Sequence, residues 1–239
     1  MSDREVYKKR YTYNEVLCLL IAQHPCVVEY ISSDYKYISM RRYVNDLHTR
    51  ILNGAFSESR KIIIALGIAY ALRHCHHSGI VHCDVKPSNI LLNMDTEPVL
   101  CDFDLSVVDK HAFSTRGTPM FAAPEMLVDS LAHRRSKKVD VFAYGCTLRC
   151  LDRYDVCYVH GNKVYRPLCV DDVAASVRNG GRLIISHKTS DFFVKLIRDC
   201  WRILPENRPS FDAICDRLEG YARSMKYVNV LKYMNKVKG

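Results

Sequence analysis

The chain has 239 residues, 48% hydrophobic and 26% charged, with a net charge of +9. That is an ordinary composition for one or two globular domains with a real core, and the positive charge favours anionic partners such as nucleotides, acidic proteins, RNA or anionic lipid without choosing among them. Eleven cysteines with no C-x-x-C pair and no signal peptide exclude a zinc ribbon, a thioredoxin motif and a small disulfide scaffold; they read as reduced thiols in a cytoplasmic protein, and no apolar run is long enough for a membrane span.

In chain order, Met1 to Arg10 is polar and basic and reads as an exposed start. Tyr13 to Gln23 carries Val16, Leu17, Leu19, Leu20 and Ile21 at helical spacing, with Glu15 at its front and Pro25 as its stop. Val27–Ser32 and Tyr35–Tyr43 are rich in β-branched and aromatic residues around Ser33-Asp34, and predict a hairpin. Asp46–Leu52 predicts a short helix ended at Asn53-Gly54. Ser57–His77 predicts a long one, capped by Ser57 and closed by Gly79. Ile90–Leu92 and Val99–Cys101 are short apolar strands on either side of a turn. Beyond Glu125 the patterns are mainly helical, clearest at Val139–Leu151, Val170–Val177, Asp191–Ile203 and Phe211–Met225. No internal repeat or low-complexity linker breaks the chain.

Chemistry concentrates in His82 to Asn89, H-C-D-V-K-P-S-N. Asp84 can accept a proton from a hydroxyl, Lys86 can hold a transferring phosphoryl group, and Asn89 can offer an oxygen to Mg²⁺. Phosphoryl transfer asks mainly for positioning, charge neutralisation and one weak base. The string resembles the catalytic loop of protein kinases, H-R-D-x-K-x-x-N. The resemblance implies an α+β fold of two lobes: a small, partial β-containing front over residues 1–44, a mainly helical back over 45–223, and a basic tail over 224–239. It implies ATP and Mg²⁺ as ligands and a protein substrate or a partner kinase as partner. It gives no specific nucleic acid and says nothing of oligomeric state.

The same resemblance assigns further residues. Asp102-Phe103-Asp104, 18 residues after Asp84, is similar to D-F-G, whose carboxylate holds Mg²⁺. Asp104 stands where the family has Gly, a change expected to restrict the loop and add charge beside the metal. Thr118 of G-T-P is implied to hydrogen-bond near Asp84 and Lys86. Glu125 of A-P-E is implied to pair with Arg208, and Asp140 to anchor the loop that carries His82. Met40 falls at the gatekeeper position, Arg41–Val44 including Tyr43 would form the hinge beside adenine, and Leu91 would floor the adenine pocket. Glu15 would be the glutamate of the αC helix, with Leu19 packed towards Phe103. Cys200-Trp201 resembles the tyrosine-kinase-like branch, whereas Lys86 is the residue of serine/threonine enzymes and weighs more because it touches the reaction.

Departures matter as well. No glycine precedes Gly54, so the sequence holds no glycine-rich phosphate loop. Lys8 and Lys9 are the only lysines before Glu15, without an apolar strand to carry them, so the lysine that pairs with the αC glutamate is expected to be missing and Glu15 is read equally well as a solvated helix residue. The resemblance then covers about Asn14 to Arg223 and implies impaired turnover, or a catalytically inactive pseudokinase that binds a kinase or its substrate. Cys83 replaces the usual Arg, so phosphorylation of Ser114 or Thr115 is not expected to act through it. His74-Cys75-His76-His77 fits no usual zinc spacing and matches an ordinary helix end. Arg134 to Lys138 reads as a solvated loop or a site for acidic substrate or RNA. The tail Lys226–Lys238 reads as a basic amphipathic helix that packs on the body, lies on a membrane or binds a partner, and Cys83 reads as either a reactive or an inert thiol.

Overall fold

A computed structural model describes residues 6–108, 117–127, 136–152, 158–160, 163–165 and 170–238. Ser114, Thr115, Arg134 and Arg135 lie outside these residues, so the expectations placed on them stay as stated. The fold is α+β, with small antiparallel sheets set on a helical body.

The front sheet has three strands in the order β1-β3-β2: β1 (Val6–Arg10), β2 (Tyr30–Ser33) and β3 (Tyr37–Arg41). The β2–β3 hairpin turns at Asp34, whose Oδ1 accepts from the N–H groups of Lys36 and Tyr37 at 2.8 and 2.7 Å, an Asx-type turn. The strand Val6–Arg10 corrects the expectation that no strand carries Lys8 and Lys9, although Tyr7, Lys8 and Arg10 on it are exposed. It runs antiparallel to β3 in unbroken register, Val6 opposite Arg41 and Lys9 opposite Ile38. A strand this charged is tolerated because β1 lies at the sheet edge, where only one face needs burial and charge blunts stray pairing. Between β1 and β2 runs α1 (Tyr13–Ile21), capped by Thr12, with Glu15, Cys18 and Leu19 on its buried face.

The two-residue strand β4 (Asn45–Asp46) leads into α2 (Leu47–Leu52), capped by Asp46, and then α3 (Glu58–His77), capped by Ser57. Helix α3 is apolar nearly all round because it is the axis of the body, wrapped by other elements. Ile62, Ile64, Leu66 and Leu72 on it are fully buried, each worth about 1.5–3 kcal/mol over leaving it in water. Next come β5 (Ile80–Val81), β6 (Ile90–Leu92), β7 (Pro98–Leu100) and β8 (Val107–Val108); β4, β6 and β7 form one ladder, β5 and β8 another. The polar segment Val81–Asn89 therefore leaves one ladder and enters another, which fixes both its ends.

The rest of the body is α4 (Lys138–Cys150), β9 (Tyr158–His160), β10 (Lys163–Tyr165), α5 (Val170–Arg178), β11 (Arg182–Leu183), α6 (Asp191–Cys200), α7 (Phe211–Ser224) and α8 (Val228–Lys238). The small β10-β9-β11 sheet is an addition to the mainly helical pattern expected beyond Glu125. Helix α6 stops at Cys200 rather than Ile203, since Pro205 disfavours helix in the residues just before it. The basic tail packs on the body: Val230, Tyr233 and Met234 are buried, and Lys236 and Lys238 pair with Glu97 and Glu219 at 2.8 and 2.6 Å. Among the described residues no helix is long and apolar enough to cross a membrane.

Candidate active site

The loop from His82 to Asn89 hangs from a single carboxylate. Asp140, fully buried in the first turn of α4, accepts the N–H of His82 (2.9 Å, Oδ2) and of Cys83 (2.8 Å, Oδ1) and contacts His76 Nε2 at 2.8 Å. Burial pushes its pKa up, but His76, His82 and these hydrogen bonds outweigh that and hold it below the ordinary aspartate value. The two N–H bonds support an unusual backbone, since Cys83 has φ 69°, a conformation that a non-glycine residue adopts at a cost. Cys83 is buried. His82 Nδ1 accepts the N–H of Asp84 (3.3 Å), so in the neutral ring Nε2 carries the proton and donates to the Cys101 carbonyl at 3.0 Å. Its ring meets Phe103 edge-on, centroids 4.9 Å apart.

Asp84 is the hub of the next layer. Oδ2 accepts from Lys86 Nζ (2.7 Å) and Asn89 Nδ2 (3.0 Å); Oδ1 accepts from Thr118 Oγ1 (2.8 Å) and its N–H (3.1 Å). A carboxylate offers about four acceptor positions, and all four are taken. Burial raises the pKa of Asp84, but Lys86 and Thr118 overcompensate and hold it below the usual range, so it is ionised at neutral pH. Lys86 Nζ also donates to Thr118 Oγ1 at 2.7 Å. Because Asn89 spends its amide nitrogen on the carboxylate and the backbone carbonyl of Asp84, its Oδ1 is the atom left to take a cation.

On the other wall, Lys9 reverses the expectation that the lysine partner of Glu15 is missing. Its ammonium lies 2.8 Å from Glu15 Oε1 and 2.8 Å from Asp102 Oδ1. Burial alone would lower its pKa, but hydrogen bonds and attraction from Asp102 and Glu15 raise it above the ordinary lysine value. Glu15 is no solvated helix residue: it is 1% exposed. Burial pushes its pKa up, Lys9 pulls it down, and the neighbouring Asp102 and Asp104 push it up again, leaving it raised. On β1 only Val6 and Lys9 are half-buried and the rest are exposed.

These residues surround a cavity of about 420 Å³, lined by Lys9, Met40, Tyr43, Asn89, Leu91 and Asp102 among others. The three residues proposed around adenine thus share one space with two candidate metal ligands. Lys86 and Asp84 are not in its lining; they face Thr118. Asp102 has φ 66° and an exposed side chain. The positive φ therefore falls on Asp102 and not on Asp104, so the absent glycine costs nothing in this conformation, contrary to the restriction expected there.

Farther out, Arg208 makes a bidentate pair with Glu125, Nη1–Oε1 2.6 Å and Nη2–Oε2 2.9 Å, and also donates to the carbonyls of Arg202, Ile203 and Lys138. The histidines at the end of α3 go separate ways, His76 to Asp140, His77 to Asp212 at 3.2 Å, and His74 stacked on His24.

Comparison with known proteins adds the following. A family model described as "Protein kinase domain" matches residues 1–218. A probable LIM domain-containing serine/threonine-protein kinase of Dictyostelium discoideum is 30% identical over 168 residues, 69% of this chain and 16% of that protein. A second probable serine/threonine-protein kinase of the same organism is 27% identical over 216 residues, 84% of this chain and 15% of that protein. The serine/threonine-protein kinase RUNKEL of Arabidopsis thaliana is 33% identical over 152 residues, 59% of this chain and 11% of that protein. The chain spans only these small shares of its curated relatives.

Proposed function

Because the chain belongs to the protein kinase family, we propose that it transfers the γ-phosphoryl group of ATP to serine or threonine hydroxyls of protein substrates. The observation that carries this reading is the double pairing of Lys9 with Glu15 and Asp102 at the wall of a cavity that Asn89 also lines. It supplies a fixed cation where polyphosphate oxygens need one. Residues 1–44 then act as the front lobe and 45–223 as the back lobe, with Met40, Tyr43 and Leu91 against the adenine.

The donor set suits a hard cation: Asn89 has an uncommitted amide oxygen and Asp102 an exposed carboxylate on the same cavity. When held there, Mg²⁺ would neutralise phosphate oxygens. The remaining chemistry belongs to the chain itself. Asp84, ionised and fixed by Lys86 and Asn89, accepts the hydrogen bond of the incoming hydroxyl and orients it. Since its acceptor positions are full, that hydroxyl must displace a donor, and the Thr118 hydroxyl, from a separate segment, is the one best able to leave. Lys86 balances charge between Asp84 and the transferring group. His82, Phe103 and Asp140 hold the loop, and Glu125 with Arg208 holds the segment that brings Thr118. The alternative, a binder without turnover, drew on two absences, and the paired Lys9 removes one of them.

The test is phosphate incorporation from Mg·ATP into a panel of serine-, threonine- and tyrosine-containing peptides by the purified chain. The expected result is incorporation at serine or threonine, reduced about 10²–10⁴-fold in Asp84→Asn. Incorporation at tyrosine alone, or rates equal in Asp84→Asn, would contradict the reading.

A further inference from the structure

The family match ends at residue 218, and α8 lies wholly beyond it. The helix nevertheless sits in a prepared seat. At Gly67 on α3, a Cβ would come within 2.3 Å of both Tyr233 Oη and Pro98 Cγ, so the absent side chain is what lets α8 and the β6–β7 turn reach the same spot. Tyr233 is buried, and its hydroxyl lies 3.3 Å from Cys26 Sγ. Three residues on, Lys236 pairs with Glu97 of the β6–β7 turn at 2.8 Å, and Glu97 also accepts from Asn93 at 2.8 Å. Asn229 Nδ2 adds a bond to Ser59 at 3.1 Å.

Both gripped points lead to the cavity. Cys26 belongs to the loop between α1 and β2, and its carbonyl accepts the Leu100 N–H at 2.8 Å. The Leu100 carbonyl accepts the Val28 N–H, also at 2.8 Å, and Val28 lines the cavity. Leu100 ends β7, two residues before Asp102. Pro98, held against Gly67, begins the same strand.

We propose that α8 is a strut that positions the nucleotide cavity from behind, with Tyr233 as its positioning residue, by clamping the Cys26–Val28 loop onto the strand that presents Asp102. Tyr233 touches neither cavity nor ligand; it acts through Cys26, Leu100 and Val28. Anything that lifts α8 from its seat, such as a partner protein that binds its buried face, loosens the ligand site without occupying it. The inference rests on the reading of that cavity as the ATP site, but its first readout does not.

The experiment uses the full chain with Tyr233→Ala, Tyr233→Phe as the conservative variant and the exposed Lys232→Ala as control. Amide hydrogen exchange is read at Val28 and Leu100 without ligand, and binding of a non-hydrolysable ATP analogue with Mg²⁺ is measured beside it. The expected result for Tyr233→Ala is exchange at least about tenfold faster at those two amides than in the parent, with the amides of α4 and α6 little changed, and analogue binding weaker about fivefold or more. Tyr233→Phe, which keeps the ring in the seat but removes the hydroxyl from Cys26, falls between Tyr233→Ala and the parent in both, and Lys232→Ala matches the parent. Should Tyr233→Ala fail to fold, Tyr233→Leu carries the same comparison. Faster exchange spread evenly over the body, or unchanged exchange at Val28 and Leu100, overturns the strut. If exchange responds as expected but the parent chain binds no analogue, the strut stands and the ATP reading falls.

Discussion

The two sides of the candidate site are built in opposite ways. The wall from His82 to Asn89 is a short polar segment tied down at almost every group, with Asp140 beneath, Thr118 beside it and Asp84 fully hydrogen-bonded. The wall from Lys9 to Asp102 has one cation between two carboxylates from different elements, 2.8 Å from each. Neither buried oxygen of Glu15 has a hydrogen bond of good geometry among the described residues. One side is preset. The other is held by charge and burial.

The sharpest way to break the rigid side is Asp140→Ala. It strands two buried N–H groups and the ring of His76, and is expected to lower stability by about 3 kcal/mol or more, read as a urea midpoint. A loss well under about 1 kcal/mol would mean that the loop does not hang from this carboxylate. On the softer side, Lys9→Met leaves Glu15 buried without a cation. Since Lys9 is partly exposed, the expected loss is about 1–3 kcal/mol, and Glu15→Gln in the same chain should recover part of it. Strict additivity of the two substitutions would show that Lys9 and Glu15 do not interact.

The smallest effect is in pH, where the two walls have opposite signs. Asp84 and Asp140 have folded pKa values below the unfolded one, so the stability they contribute is present above about pH 4 and lost as pH falls further. Glu15 has a folded pKa above its unfolded 4.5, so the folded chain holds its proton longer and this contribution is lost as pH rises through the folded value. Glu15→Gln should therefore flatten the decline of stability on the alkaline side of pH 4.5 and leave the acid limb in place. An unchanged profile on both sides would remove Glu15 from the account.

The same contrast explains what could be read in the sequence. Asp84, Lys86 and Asn89 act within six residues, so covalent spacing alone carries their geometry, and Thr118, Glu125, Asp140, Asp102 and Arg208 were reached by motif resemblance. The extents of α1, α2, α3 and α7 followed from apolar period, with Ser57 as the cap of α3; Thr12, Asp46 and Ser210 cap the other three in the structure. Lys9 was illegible because Val6–Arg10 has almost no apolar signal; the strand exists through its pairing with Tyr37–Arg41, a contact between distant segments. Asp104 misled because the glycine it replaces suggested a positive φ, whereas the chain places that conformation at Asp102. The seat of α8 was equally hidden, since Gly67 reads as a helix weakness until Tyr233 and Pro98 are seen against it.

The account turns on whether Asn89, Asp102 and Lys9 wall a site for magnesium-bound ATP, and a thermal-shift titration of the intact chain against Asp102→Ala measures this directly. The account predicts a saturable, magnesium-dependent rise in melting temperature for the parent chain, lost in Asp102→Ala although that variant is folded. No rise in the parent chain, or an equal rise in both, would contradict it.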